Sequence, residues 1–140
     1  MRVSLGLLAD YANVSDSGKL NIMGVFQAMN SAAFPYVHPQ MYLVLQFEID
    51  RSEVGKKRKL EVSLINEDGL ALFSVGGEME IPKPPDPKLV AGGPVVFNNL
   101  LGFQGLVFEK PGNYEFKVLV GDDHKHSVPL KVLQLKPQRG

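Results

Sequence analysis

Residues 111–132 read PGNYEFKVLVGDDHKHSVPLKV and carry the clearest structural information in the chain. Apolar residues occupy alternate positions from Tyr114 to Val120 and again from Val128 to Val132. A short connection rich in Gly and Asp, residues 121–123, separates the two runs. Alternation with a period of two is typical of a strand with one buried face, so the stretch predicts an antiparallel β-hairpin.

Similar patterning extends over the rest of the chain, and it is cleanest from Met41 to Ile49. No segment sustains the 3.6-residue period of a long amphipathic helix. The sequence therefore predicts an all-β, immunoglobulin-like sandwich of about eight antiparallel strands, formed by one domain over residues 1–140. The other predicted strands are Val3–Tyr11, Lys19–Met29, Leu60–Leu64, Ala71–Ile81 and Val95–Phe108.

The composition excludes several classes of function. The chain contains no cysteine, which rules out disulfides, thiolate nucleophiles and cysteine-based metal sites. Fifteen basic residues balance fifteen acidic ones, so the overall charge gives no reason to expect binding to nucleic acid or to an anionic membrane. The first apolar run ends at Asp10, too early for a signal peptide, and we expect a cytoplasmic protein without a cofactor.

The first two predicted strands are apolar on both faces, whereas a sandwich strand normally has a polar outer face. Either loops cover the outer face, for example residues 30–40 or the Pro-rich segment 82–87, or another subunit does. For two adjacent strands we favour self-association, with a homodimer formed through the N-terminal strands. The predicted interaction surface consists of Leu8, Met23, Val25 and Met29.

One cluster has the chemistry of metal ligands. Residues two apart on a strand share a face, so His124 and His126 could present two imidazoles beside the carboxylate of Asp122. We interpret the cluster as a solvated hairpin turn, because a zinc site needs three or four convergent ligands and the remaining histidine, His38, is distant in sequence.

Three further segments have structural interpretations. The basic run Lys56–Lys59 is typical of a solvated strand entry, although it could also bind phosphate. Pro82–Pro87 is a stiff connection between strands, and the alternative is a docking ligand in the polyproline conformation. Gly92-Gly93-Pro94 is a turn, since no strand–loop–helix context for a nucleotide site follows it.

The spacing of residues supports no catalytic constellation, so we expect a non-catalytic module that binds or assembles through protein–protein contacts. Two alternatives stay open. A metal-dependent enzyme would use His124 and His126. A carbohydrate- or small-ligand-binding module would need exposed aromatic residues, and the available ones are Tyr11, Tyr36, Tyr42 and Phe103.

The C-terminal stretch resembles the final hairpin of immunoglobulin-like sandwiches, in which a Tyr near the start of the penultimate strand closes a corner. Tyr114 is the matching position, and its hydroxyl is expected to bond to the backbone. The cysteine pair and core tryptophan of antibody domains are absent, so the resemblance concerns architecture alone.

Over nearly its whole length the chain is similar to a family of small bacterial and phage-associated proteins described as a domain of unknown function. The matching elements are Leu8-Ala9-Asp10, Gly18-Lys19-Leu20, Gly24 and Tyr114. The resemblance implies a stand-alone sandwich of bacterial origin. It supplies no catalytic or binding residues.

Overall fold

The structure is a computed structural model that describes residues 1–81 and 95–136. The described residues form nine strands and one short 3₁₀ turn, Arg51–Glu53, and none of their helices could cross a membrane. The strands are β1 (Arg2–Val14), β2 (Leu20–Phe26), β3 (Ala28–Ser31), β4 (Tyr36–Ile49), β5 (Lys57–Ile65), β6 (Ala71–Glu80), β7 (Val95–Phe108), β8 (Gly112–Val120) and β9 (Asp123–Gln134).

These strands form two sheets, with the orders β2-β1-β4-β7 and β3-β9-β8-β5-β6. The predicted all-β fold class is therefore confirmed. The predicted hairpin is β8–β9, in which Tyr114 lies opposite Leu130 and Phe116 lies opposite Val128. The neighbouring strands run antiparallel, with the exception of β3, which runs parallel to β9.

The prediction of one strand over Lys19–Met29 is wrong, because the chain leaves one sheet for the other at Gln27. β2 belongs to the four-stranded sheet and β3 to the five-stranded sheet. Lys131 donates its backbone N–H to the carbonyl of Gln27 over 2.9 Å, which fixes the crossing to β9. Phe26 and Met29 both pack into the core, so the alternation shifts by one residue at the crossing.

The main core lies between the two sheets. β4 contributes alternate side chains that are at most 1% exposed, as the pattern from Met41 to Ile49 predicts. β5, β8 and β9 face it with their own alternate apolar residues. The largest fully buried side chains from these facing strands are Leu64, Phe116 and Leu130.

The sheets approach each other closely where β1 crosses β9. A Cβ atom at Gly6 would lie 2.5 Å from Cδ2 and 2.6 Å from Nε2 of His126. The missing side chain of Gly6 therefore makes room for the His126 imidazole between the layers.

Candidate functional site

A small second cluster of buried residues lies on the outer face of the four-stranded sheet. Val44 is fully buried, although its neighbours in β4, Leu43 and Leu45, point into the main core. Val44 therefore points away from that core, and it packs with Ala9 and Ala12 of β1.

The β1–β2 hairpin itself helps to cover this outer cluster. Leu20 and Ile22 of β2 pack against it, together with Leu7, Tyr42 and Leu100. Ala9 and Ala12 are three residues apart yet belong to one cluster, so the strict alternation is interrupted between them. Asp10 lies at the interruption beside Gly24, whose φ of +71° is a backbone conformation that favours glycine.

Three exposed apolar side chains border the outer cluster and form what we call the β2 surface. Met23 is 67% exposed, Val25 is 53% exposed and Tyr11 is 44% exposed. Met23 lies opposite Tyr11 in the β1–β2 ladder, and Val25 lies opposite the buried Ala9. Tyr11 packs edge-on against Tyr42 of β4, with ring centroids 5.5 Å apart.

β2 is an edge strand, and within the described part of the chain it pairs with β1 alone. Edge strands in natural proteins commonly carry charged residues or proline, which prevent a further strand from pairing. None of the seven residues from Leu20 to Phe26 is charged or proline. The edge therefore lacks these two protections against strand pairing, although the positive φ of Gly24 interrupts its regular extended backbone.

The structure places two of the four residues predicted for the interaction surface elsewhere. Leu8 is 1% exposed and Met29 is 6% exposed, and both belong to the main core. Leu8 faces inward because it pairs with Leu43 of β4, whereas Met29 enters the core from β3 after the sheet crossing. Met23 and Val25 are the two predicted residues that reach the surface.

The two histidines considered as metal ligands lie on opposite faces of their sheet. The β8–β9 register shifts between Val118 and Leu119, so that His126 lies opposite the buried Val118 and His124 lies opposite Leu119. His126 packs inward against Gly6, while the His124 imidazole Nε2 is 2.8 Å from the hydroxyl of Ser127.

This bulge removes the premise that residues two apart share a face, so the two imidazoles considered as possible metal ligands do not lie on one face. Asp122 is exposed in the turn before β9. Residues 1–81 and 95–136 contain no group of three or more His, Asp or Glu side chains that could hold a metal ion.

The aromatic residues considered for ligand binding do not share one surface. Phe103 packs into the main core with Phe73 and Phe116. Tyr36 is half-buried, and its hydroxyl lies 2.8 Å from Nδ1 of His38. Burial lowers the pKa of His38, although a backbone hydrogen bond to Gln40 and the negative charge of Asp10 act in the opposite direction.

Tyr114 lies at the start of β8, and its hydroxyl donates to the carbonyl oxygen of Lys110 over 2.6 Å. The side chain is buried, and its ring packs edge-on against Phe108. Burial raises the pKa of this hydroxyl, which favours the protonated form that can donate.

The basic run enters β5, where acidic residues of β6 lie opposite two of its four basic residues. Lys57 lies opposite Glu80 of β6, and Lys59 lies opposite Glu78. Opposite charges at facing positions stabilise a solvated sheet face modestly. Pro82–Pro87 and Gly92-Gly93-Pro94 lie outside the described residues.

Sequence reasoning missed a groove at the other side of the sandwich, between β6 and β7. Its volume is about 290 Å³. β5 provides Leu60 and Val62, β6 provides residues 75–79, and β7 provides Asn99 and Leu101. The pair Gly76-Gly77 was the available indication, because two adjacent glycines in a strand leave space beside it.

The model of a family of unknown function, DUF6941, matches residues 4–133. Comparison with curated proteins gives no match. Among solved structures, the chain is similar to the Pseudomonas fluorescens alkylpurine DNA glycosylase AlkC bound to DNA containing an abasic site analog, at 9% identity and a TM-score of 0.48. That alignment covers 94% of this chain and 30% of the glycosylase chain, and it carries no argument about function. The extent of the family match shows that the chain belongs to DUF6941, a family of unknown function.

Proposed function

We propose that this protein is a non-catalytic assembly module that forms a homodimer through the β2 surface. The observation that carries the proposal is the exposure of Met23 and Val25 on an edge strand without charged residues or proline. Exposed apolar groups next to an open strand edge are the usual components of strand-mediated association.

The absence of charge in β2 supports a second copy as the partner. When an edge strand pairs with its own copy about a two-fold axis, the same patch faces itself. A charged residue near the axis would then face its own kind, and like charges at facing positions destabilise a sheet. β2 avoids this repulsion because every residue from Leu20 to Phe26 is uncharged.

The size of the β2 surface sets the expected affinity. Seven residues of strand span about 24 Å. Stable complexes bury about 1,200–2,000 Å² in total, and a short edge with three exposed apolar side chains lies at the low end. We therefore expect a dissociation constant on the order of micromolar.

Sedimentation equilibrium tests the proposal. Wild-type protein should be mainly dimeric at about 100 µM, and the double substitution Met23→Lys/Val25→Lys should raise the dissociation constant at least tenfold. Val37→Lys is the matched control, because Val37 is 54% exposed and lies on β4. A wild-type protein that stays monomeric at this concentration would refute the proposal, and so would a dimer that the double substitution leaves intact.

The proposal includes the predicted cytoplasmic location, the bacterial origin and the immunoglobulin-like topology. Their support is the sequence pattern and the resemblance described above.

A further inference from the structure

A polar pocket lies on the outer side of the five-stranded sheet, where the turn between β5 and β6 stands beside β8 and β9. Its volume is about 530 Å³, within the range of about 300–1,000 Å³ that is typical of small-molecule sites. It is lined by residues 65–67 and 69 of β5 and the turn, residues 113–115 of β8 and residues 129–131 of β9. We call it the β8 pocket.

The floor of the β8 pocket consists of side chains that alternate with core residues. Tyr114 and Leu130 face each other and belong to the main core. The residues on either side of them therefore point outward, and these are Asn113, Glu115, Pro129 and Lys131. Glu115 lies opposite both Ile65 and Pro129, so apolar side chains flank its carboxylate on two sides.

The side wall of the pocket is held in place by Glu67. Its Oε1 accepts the backbone N–H of Asn113 over 2.6 Å, which joins the turn to the start of β8. Asn66 fixes the same turn, because its side-chain oxygen accepts the backbone N–H groups of Asp68 and Leu70. The second carboxylate oxygen of Glu67 accepts no hydrogen bond from another described residue. The wall is therefore preformed and still offers an acceptor.

The floor carries groups of both charges that do not pair with one another. Glu115 and Lys131 lie one row apart on neighbouring strands, yet among residues 1–81 and 95–136 neither of them forms an ion pair within 4 Å. Asn113 lies opposite Lys131, and its amide both donates and accepts. The β8 pocket thus combines the donors of Lys131, the acceptors of the two carboxylates and an amide that supplies both.

This combination of groups favours a neutral ligand. An anion would meet the carboxylates of Glu67 and Glu115, whereas a cation would meet the ammonium group of Lys131. A hydroxyl group fits both environments, because it can accept from an ammonium group and donate to a carboxylate.

A zwitterion would also meet both charges, but it would depend on ion pairs. Ion pairs contribute little at solvent-exposed positions, and Lys131 is exposed. A hydrogen bond between a charged group and a neutral group is stronger than one between two neutral groups. Several hydroxyl groups on one neutral molecule therefore suit the β8 pocket better than a pair of opposite charges.

We propose that the β8 pocket binds a neutral, polyhydroxylated ligand of the saccharide class. The hydroxyl groups bond to Asn113, Glu115 and Lys131, and the C–H surface of a sugar ring lies against Ile65 and Pro129. Hydrogen-bonding side chains rather than an aromatic platform provide the recognition. Because Asn113, Pro129 and Lys131 are exposed, the pocket is open to solvent, and we expect a dissociation constant on the order of millimolar.

Titration of ¹⁵N-labelled protein with maltose, cellobiose and lactose, each to about 100 mM, tests this inference. At least one of the three disaccharides should shift the backbone amide resonances of Asn113, Glu115 and Lys131 until they saturate. Glycine, ammonium chloride and sodium sulfate represent the zwitterion, the cation and the anion, and they should give no saturable shift of these resonances.

Substitutions distinguish the β8 pocket from other surfaces. Glu115→Ala and Lys131→Ala both alter outward-facing side chains, and each should weaken the bound disaccharide at least about fivefold. Lys117→Ala is the matched control, because Lys117 lies two residues further along β8 and does not line the pocket. Met23→Lys should leave disaccharide binding unchanged, so this inference and the proposed homodimer succeed or fail separately.

Three results would overturn the inference. The first is that none of the disaccharides gives a saturable shift at the β8 pocket. The second is that glycine or one of the salts saturates these resonances instead. The third is that Glu115→Ala and Lys131→Ala both bind the disaccharide with wild-type affinity.

Discussion

The hydroxyl of Tyr114 donates a hydrogen bond to the carbonyl oxygen of Lys110, four residues earlier in the chain. This bond joins the backbone just before β8 to the third residue of that strand. The Tyr114 ring also packs edge-on against Phe108, at a centroid distance of 5.0 Å. The residue therefore ties the end of β7 and the start of β8 to each other.

Tyr114→Phe should lower the free energy of unfolding by about 1 kcal/mol, because it keeps the ring and removes one partly buried hydrogen bond. Chemical denaturation followed by fluorescence measures this difference. Tyr11→Phe is the matched control, since Tyr11 is 44% exposed and its hydroxyl should matter by less than about 0.5 kcal/mol. Equal stability of Tyr114→Phe and wild type would show that the corner does not depend on the bond.

The stability of a Val44 variant tests whether the outer cluster is a second core. Simple alternation along β4 would make Val44 an exposed residue, whereas the structure buries it completely. Val44→Ala should therefore cost about 2 kcal/mol of stability, the order expected for removing most of a buried aliphatic side chain. Val37→Ala, at a position that is 54% exposed, should cost less than about 0.5 kcal/mol. Similar small losses for both variants would contradict the burial of Val44.

Gly6 and His126 should be energetically coupled. Gly6→Val places side-chain atoms where the His126 imidazole lies, and overpacking of this kind costs about 1–3 kcal/mol. His126→Ala removes the obstruction, so the double variant should lose less stability than the sum of the two single variants. A double-mutant cycle measures the coupling, and additivity within about 0.5 kcal/mol would show that the two residues do not compete for space.

His38 should make stability depend on pH in the mildly acidic range. Burial lowers its pKa in the folded state, while the unfolded value is about 6.5. The unfolded state then binds more protons in this range, so the contribution of His38 is fully present above about pH 6.5 and is lost as the pH falls toward the folded pKa.

Thermal unfolding at pH 7.5 and pH 5.5 measures this effect, and NMR titration of His38 gives its pKa directly. The loss of stability between the two pH values should be smaller in His38→Gln. A His38 pKa at or above that of a free histidine side chain would contradict the prediction.

The period-two pattern predicted the fold class because the strands that line the main core bury alternate residues in it. The core-facing residues of β4 and β8 follow the pattern, whereas the burial of Val44 on the outer face of β4 departs from it. The pattern failed at Gln27, where the chain changes sheets. Phe26 and Met29 pack into the same core from opposite sheets. The alternation of apolar and polar residues alone does not show where a chain crosses between sheets.

The candidate surfaces were harder to predict, since they depend on local departures from regular pairing. The bulge between Val118 and Leu119 separates His124 from His126, and the positive φ of Gly24 accompanies the interruption beside Asp10. Leu8 was assigned to the surface because the sequence does not show which of two apolar faces is buried. The groove depends on where the four-stranded sheet ends relative to β6 of the other sheet, which is a tertiary property.

Hydrogen exchange of the β2 amides tests the proposed homodimer most directly. The amides of residues 20–26 that do not bond to β1 should exchange rapidly at about 1 µM and become protected at about 100 µM, while β7 amides should exchange equally at both concentrations. Protection confined to β2 at high concentration is the result that the proposed dimer predicts. Identical exchange of β2 at both concentrations would contradict it.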